Sequence, residues 1–252
     1  MSEDTRRRLR IIHDDAHDGP TNMARDEALL ALVGEGESVP TLRTYQWSPP
    51  TISLGYFQKY GDYGRLDPPA GALPVVRRQT GGGAILHDRE LTYSITLPAD
   101  HPLLADGPNA LYEIVHDALM ECLAERGVET RRGSETDGSG PGRGPFFCFA
   151  RRHLLDVFLG DGKLAGSAQR RTRNAVLQHG SIIFEVRYDQ QPAAPIRQVA
   201  LLEPDDLRRP FADAVAGRGR LSAALGQWTA SELALAGDLV AQYAGRSWTR
   251  RA

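Results

Sequence analysis

Few residues of this chain are suited to chemistry, and two of them stand close together. Cys148 lies in "PFFCFARRHLLDVFLGDGKLAGSAQ", fifteen residues before Lys163. A thiolate is a strong nucleophile, but a free thiol near pKa about 8.5 is mostly protonated at neutral pH. Judged by its neighbours Phe146, Phe147 and Phe149 alone, Cys148 reads as a buried structural thiol, a small hydrophobe. Lys163 follows the turn Gly160-Asp161-Gly162, where a surface lysine is the ordinary expectation. The chain's only other lysine is Lys59, so Lys163 stands out in a sequence that otherwise uses arginine. A desolvated lysine can release its proton and an arginine cannot, which suits Lys163 to proton transfer.

A third stretch, "RRQTGGGAILHDRELTYSITLP" from Arg77 to Pro98, sets a cationic pair beside the chain's most flexible backbone. It is not a phosphate-binding P-loop, because Gly83 leads into Ala-Ile-Leu with no lysine. Nor does Gly81-Gly82-Gly83 have the spacing of a dinucleotide fold. Strand-like flanks place the glycines in a β-hairpin connection or bulge, where backbone N–H groups can approach a ligand closely. A tight glycine turn with surface arginines is an equally good account of the same residues. On successive strand positions Arg77 and Arg78 point to opposite faces, so at most one meets a site and the other meets solvent or an acidic group.

These residues need a scaffold, and the 252-residue chain has the means to build one. It is 41% hydrophobic and 25% charged, with a formal net charge of −2 from 30 basic and 32 acidic residues. That balance argues against a nucleic-acid binder with a broad basic surface. The local basic clusters Arg6 to Arg10 and Arg170 to Arg173 read as solvated faces. No apolar run reaches the roughly 20 residues that cross a bilayer, and "MSEDTRRRLRII" lacks the core of a secretory signal. Two cysteines make no disulfide framework, and a cytoplasmic location is expected.

Along the chain, "GPTNMARDEALLALVGEG" predicts a helix with Asn22 as a possible N-cap and Gly34 as its stop. "TLRTYQW" and "TISLGYF" predict strands separated by Ser48-Pro49-Pro50, and "PVVRRQT", "AILH" and "LTYSITL" continue the β pattern. From Asn109 to Arg126 the period becomes helical, with Leu111, Ile114, Val115, Ala118, Leu119, Cys122 and Leu123 on one stripe. That stripe makes Cys122 structural. "GSETDGSGPGRGP" (Gly133 to Pro145) is either a linker or a mobile loop over a site. Strand-like "LLDVFLG" and "KLAGSAQRR" follow, then "AVLQHGSIIFEV", a strand pair or one long bent strand. "TASELALAGDLVAQYAG" opens on a Thr229–Glu232 capping box. The expected fold is α+β, with mixed sheets flanked by helices. The expected organisation is a single domain over residues 1–252, with a motif region at 22–186 and a helical extension at 187–252.

In order, "RRQTGGGAILHDRELTYSITLP", "GDGKLAGSAQRR" and "LQHGSI" resemble the three sequence blocks of the biotin/lipoate protein ligase superfamily. With the opening "NMARDEALL…TLRTYQWSPPTISLGYFQ", the resemblance spans roughly residues 22 to 186. It implies a glycine loop that cradles an acyl group, placing Arg77, Arg78, Gly81, Gly82 and Gly83 at the substrate. His87 and His179 match motif positions, and Ser167 and Gln169 are candidates to bind the acyl carbonyl.

Cys148-Phe149 ahead of the lysine motif, together with "ELTYS" and "LQHGS", is most similar to the cysteine-dependent octanoyltransferases. That resemblance implies Cys148 as nucleophile and Lys163 beside it as the group favouring its thiolate. It implies octanoyl-acyl carrier protein as donor and a lipoyl-domain protein as acceptor, either glycine cleavage H protein or a dehydrogenase E2 subunit. No metal, ATP or other cofactor is called for. Two departures stand out: "ARRHLLD" replaces a Pro-Ser-x-Tyr-Glu run after Cys-Phe, and Gly83 takes a place where transferases commonly carry arginine. The residues leave three alternatives open. These are an octanoyl amidotransferase between lipoyl-domain proteins, an ATP-dependent lipoate-protein ligase, and a non-catalytic acyl-binding module.

Overall fold

The computed structural model describes residues 7–136, 138 and 144–251. Helix α1 (Gly19–Glu35) is capped by Asp18, whose carboxylate accepts from the Thr21 N–H at 2.9 Å, and ends at Gly36 in the left-handed region at φ 77°. The cap and stop expected at Asn22 and Gly34 are therefore displaced. Asn22 is buried inside the helix, where its amide donates to the His17 and Gln46 carbonyls. Gly34 has no positive φ to release, and the helix runs through it.

Strands β1 (Arg8–His17), β2 (Thr41–Trp47), β6 (Glu90–Pro98), β7 (Arg131–Arg132), β8 (Val157–Leu159), β9 (Gly162–Arg171), β10 (Ala175–Ile183) and β11 (Ser222–Leu225) form an eight-stranded sheet. Its order is β11-β1-β2-β6-β10-β9-β8-β7, with β1 parallel to both β2 and β11 and the other pairs antiparallel. A second sheet, β4-β3-β5, contains β3 (Thr51–Leu54), β4 (Val75–Arg77) and β5 (Ile85–His87). The Ser48-Pro49-Pro50 turn thus carries the chain from one sheet to the other. "AVLQHGSII" is one strand, β10, seated between β6 and β9 and buried along its whole length.

Helix α2 (Ala110–Ala124) bears the expected stripe except at Ile114, which is only half-buried. Leu111, Val115, Leu119 and Leu123 meet Leu42, Tyr93, Ile95, Leu164 and Val176 of the large sheet, with Phe211 and Val215 of α3 (Pro204–Gly219) in the same core. Helix α4 (Ala230–Ala244) has the Thr229–Glu232 capping box and packs near α1, where the Tyr243 hydroxyl donates to Glu27 at 2.6 Å. Residues 187–252 also supply β11, which completes one edge of the large sheet. This is an α+β fold of mixed sheets flanked by helices. Among the described residues no helix is long and apolar enough to cross a membrane.

Candidate active site

Residues 78–84 join β4 to β5, but these strands do not pair with each other. β3 lies between them, parallel to β4 and antiparallel to β5. The glycine stretch is therefore an arch across the end of β3, and the hairpin expectation is corrected. Arg78 organises this arch from within. Its guanidinium donates to the Gly81 and Gly83 carbonyls, both at 2.7 Å, to the Ser53 carbonyl at 2.9 Å and to Thr80 Oγ1 at 3.1 Å. Burial pushes Arg78 down to about 10, which leaves it charged at neutral pH.

Arg77 takes a different course. It meets neither solvent nor an acid, as one member of the pair was expected to do. It is fully buried and donates to the carbonyls of Gly55, Tyr56, Gln58, Thr249 and Arg251. A guanidinium has five N–H donors, and here backbone carbonyls use them in place of a carboxylate. Arg77 thereby ties the C-terminal segment to the loop after β3 and lines no part of the cavity described below.

The arch docks on the segment that carries Cys148. Ala84 N–H donates to the Phe146 carbonyl at 2.8 Å, and Cys148 N–H returns a bond to the Ala84 carbonyl at 2.7 Å. A Cβ on Gly83 would sit 2.8 Å from both Cys148 N and Arg151 Nε, so any side chain at 83 would force the two segments apart. Arg151 occupies the space into which an arginine at 83 would extend, and it lines the cleft with Cys148.

Lys163 enters from the start of β9, and its buried Nζ lies 3.7 Å from Cys148 Sγ and 2.8 Å from Asp156. A Cβ on Gly166 would fall 2.4 Å from Lys163 Cε, so the second glycine of "GKLAGS" is what lets this side chain lie flat across its own strand. Burial alone would lower Lys163, but the negative charges of Cys148 and Asp156 outweigh it and the lysine is raised. The expectation that desolvation readies Lys163 to release its proton is thus corrected. It is a held cation. Asp156 is itself raised by burial, against the opposing pull of Lys163.

The remaining candidates divide by role. His87 stacks on Trp47 at 3.8 Å and bonds to Ser53 Oγ and Glu90, both at 2.7 Å. Burial lowers it despite the carboxylate. His179 bridges Thr80 Oγ1 at 2.7 Å and Asp26 at 3.1 Å, and so ties the arch to α1. Both histidines, with Arg78, Gly82, Ser167 and Cys148, line a narrow cavity, most of whose exposed lining is apolar. A second, more open cleft is lined by Gly81, Gly82, Gly83, His116, Arg151, Arg152, Asp156 and Lys163. Cys148, Gly82 and Ser167 border both spaces. Gln169 borders neither, and its amide donates to Gln178 at 2.8 Å.

Asp156, His116, Tyr93 and Asp26 were not foreseen. A histidine at 116, on the buried side of α2 between Val115 and Leu119, is a signal the periodicity contained. An aspartate just before the apolar "VFL" is another. Nothing local marks Tyr93 or Asp26, whose partners come from strands and helices far away in sequence. Of the loop expected over the site, residues 137 and 139–143 lie outside the described residues, and its ends are held by bonds at Gly133 and Pro145.

The lipoyl protein ligase A/B catalytic domain profile matches residues 18–201. Octanoyltransferase LipM of Moorella thermoacetica is 40% identical over 196 residues, covering 75% of this chain and 72% of that protein. Octanoyltransferase LipM of Kyrpidia tusciae is 33% identical over 273 residues, covering 96% of this chain and 98% of that protein. Among solved structures, lipoate-protein ligase A bound with ATP has a TM-score of 0.79 at 20% identity, covering 96% of this chain and 98% of its own. The bi-partite lipoate protein ligase of Thermoplasma acidophilum scores 0.73 at 19% identity, with 96% of each chain covered. The chain belongs to the lipoyl protein ligase A/B catalytic domain family, and within it is an acyltransferase.

Proposed function

We propose that the chain is an octanoyltransferase of protein lipoylation that works through a thioester on Cys148. Octanoyl passes from acyl carrier protein to the Cys148 sulfur, then to a lysine of a lipoyl-domain protein. The observation that carries this reading is the position of Cys148, 3.7 Å from a buried lysine held as a cation, on the border between an apolar cavity and a more open cleft that bears the charged side chains of Arg151, Arg152, Asp156 and Lys163. An eight-carbon chain suits the apolar side, and each buried methylene contributes about 0.8 kcal/mol. The open, charge-bearing cleft suits the approach of a donor thiol or an acceptor lysine from solvent. Lys163, 3.7 Å from the sulfur, favours a negative sulfur, since an opposite charge within about 4–6 Å stabilises the ionised form. The buried charge of Arg78 acts in the same direction. Thioester exchange is nearly balanced and amide formation runs downhill, so the scheme needs no ATP.

Intact-mass analysis of the chain mixed with octanoyl-acyl carrier protein, with and without ATP, tests the reading. An octanoyl adduct that is labile to hydroxylamine, absent from Cys148→Ala and independent of ATP is expected. Robust ligation of free octanoate or lipoate that requires ATP, with no reaction from the carrier thioester, would place the chain with the ligases. Reaction from an octanoylated lipoyl domain but not from carrier protein would make it an amidotransferase.

A further inference from the structure

Beside Cys148 runs a chain of neutral side chains whose hydrogen bonds can be oriented without ambiguity. At one end is the Leu155 carbonyl, which can only accept, and His116 Nδ1 bonds to it. Nδ1 therefore carries the ring hydrogen, and in neutral imidazole Nε2 must accept. Its partner is Ser167 Oγ at 2.6 Å, so the serine's single hydrogen points at His116. Ser167 must then accept from Tyr93 Oη at 2.5 Å. Tyr93 Oη in turn accepts from Gln178 Nε2 at 2.9 Å, and Gln178 Oε1 accepts from Gln169 Nε2 at 2.8 Å. At the far end Gln169 Oε1 accepts at 3.0 Å from Arg171 Nε, which can only donate. A pure donor and a pure acceptor terminate the chain, and every bond between them runs the same way.

This orientation leaves Ser167 with no hydrogen for a substrate. It faces both spaces beside Cys148 as a lone-pair acceptor only, which corrects the expectation that Ser167 binds the acyl carbonyl, itself an acceptor. Gln169, set back from both spaces, serves to aim Tyr93 and Ser167 through Gln178. Arg151, Arg152 and Lys163 line the same cleft against the one carboxylate of Asp156, which Lys163 already pairs at 2.8 Å. An arriving ammonium therefore meets a net positive lining and its proton is loosened. The amine that reaches the thioester is therefore neutral, with N–H bonds that need an acceptor.

We propose that Ser167 Oγ, aimed by the chain from Arg171 to the Leu155 carbonyl, accepts an N–H of the incoming lysine amine and directs its lone pair at the Cys148 thioester. The proposal rests on the thioester reading above. As the nitrogen attacks, the C–N bond forms, the C–S bond breaks and the sulfur regains its electron pair. The one amine proton lost in making the amide goes to the sulfur, which leaves as Cys148 thiol. Ser167 does not take that proton for His116, because the imidazolium would be buried next to Arg132 and Lys163, and His116 is pushed down to about 4 by that burial and those charges.

The test separates the two half-reactions. Wild type, Ser167→Ala, Ser167→Cys and His116→Leu are loaded from octanoyl-acyl carrier protein, then mixed with lipoyl domain, and acyl-enzyme and amide are followed by intact mass. The variants should load Cys148 at the wild-type rate, which also verifies their folding. The acyl-enzyme should then accumulate, with amide formation slowed about tenfold or more and the KM for lipoyl domain unchanged. Amide formation at the wild-type rate in both serine variants would overturn the proposal. So would a parallel loss of loading and amide formation in Ser167→Cys, which means the serine holds the acyl carbonyl or the fold. A wild type that forms amide with no acyl-Cys148 would remove the thioester reading itself, and this proposal with it.

Discussion

The polar groups around Cys148 form two sets, one charged and one neutral. Lys163, Asp156 and Arg78 form the charged set, and all three are buried. Tyr93, Ser167 and His116 form the neutral set, with Tyr93 and His116 buried, Ser167 half-buried, and no net charge among them. The difference matches the two demands of acyl transfer through sulfur. Holding a thiolate calls for nearby cations, while delivering a neutral amine calls for an oriented acceptor that does not re-protonate it. Cys122 shows what a thiol becomes without either set. It lies in the α2 stripe, where burial pushes it up to about 11, and no attacking thiolate forms there at neutral pH.

The largest expected effect comes from removing the atom that joins the two sets. Cys148→Ala should reduce octanoyl transfer by about a thousandfold or more, as loss of a covalent nucleophile does. Cys122→Ala should transfer at the wild-type rate. Steady-state transfer to a lipoyl domain, monitored by mass, compares them directly. Equal activity in the Cys148→Ala protein would dissolve the comparison, because the charged set would have no thiolate to serve.

Lys163 tests the charged set alone. Lys163→Ala removes the ammonium 3.7 Å from the sulfur and should move the pH–alkylation profile of Cys148 to higher pH. A displacement of one pH unit corresponds to about 1.4 kcal/mol of lost thiolate stabilisation. Lys163→Arg keeps the charge but not the compact ammonium between Asp156 and the sulfur, so it should restore the profile only partly. Superimposable profiles for wild type and Lys163→Ala would leave Lys163 a positioning role only.

Arg77 and Arg78 sharpen the contrast between holding the fold and holding the site. Arg77→Met strands several buried carbonyls that belong to the β3–β4 region and to the C-terminal segment. At about 1–3 kcal/mol for each buried group left unpaired, the cost should exceed about 3 kcal/mol. Arg78→Met should instead loosen the glycine arch and reduce loading of Cys148 in protein that is still folded. Denaturant midpoints and loading rates, measured on both variants, should rank them in opposite order.

How much of this was legible in advance follows from how local each signal is. The α2 stripe, the Thr229–Glu232 cap and the strand runs depend on periodicity and short spacing. The cap appears where the sequence places it, whereas β3, β4 and β8 are shorter than their runs because the flanking residues bend away into the loops around the site. The motif blocks brought Cys148 and Lys163 together because the chain between them folds back through a 3-10 turn, β8 and the tight turn into β9. Arg77 was misjudged because alternation tells which way a side chain points but not what waits there, and its carbonyl partners at Thr249 and Arg251 are over 170 residues away. Only the proton-release part of the Lys163 reading was misjudged, since burial was foreseeable but the carboxylate of Asp156 set against it was not. Ser167 and Gln169 were identified as residues, yet their roles depend on bond direction, which no single-chain pattern encodes.

The smallest effect probes the neutral set by asking whether it stays neutral. His116 is pushed down to about 4 in the folded chain by burial, with the charges of Arg132 and Lys163 adding to it, against an ordinary value of 6.5. Between those limits the unfolded chain binds more protons than the folded one. Stability contributed by neutral His116 is therefore present above pH 6.5 and is lost as pH falls toward 4. From pH 7 to pH 5 the loss from this one group should be about 2 kcal/mol. Other groups titrate in the same range, His87 among them, so the measurement is a difference. Urea unfolding of wild type and His116→Gln at both pH values should give the variant the shallower acid dependence. Identical slopes would show that His116 takes up its proton as readily folded as unfolded, and the hydrogen bonds from Tyr93 through Ser167 would then no longer have a fixed direction.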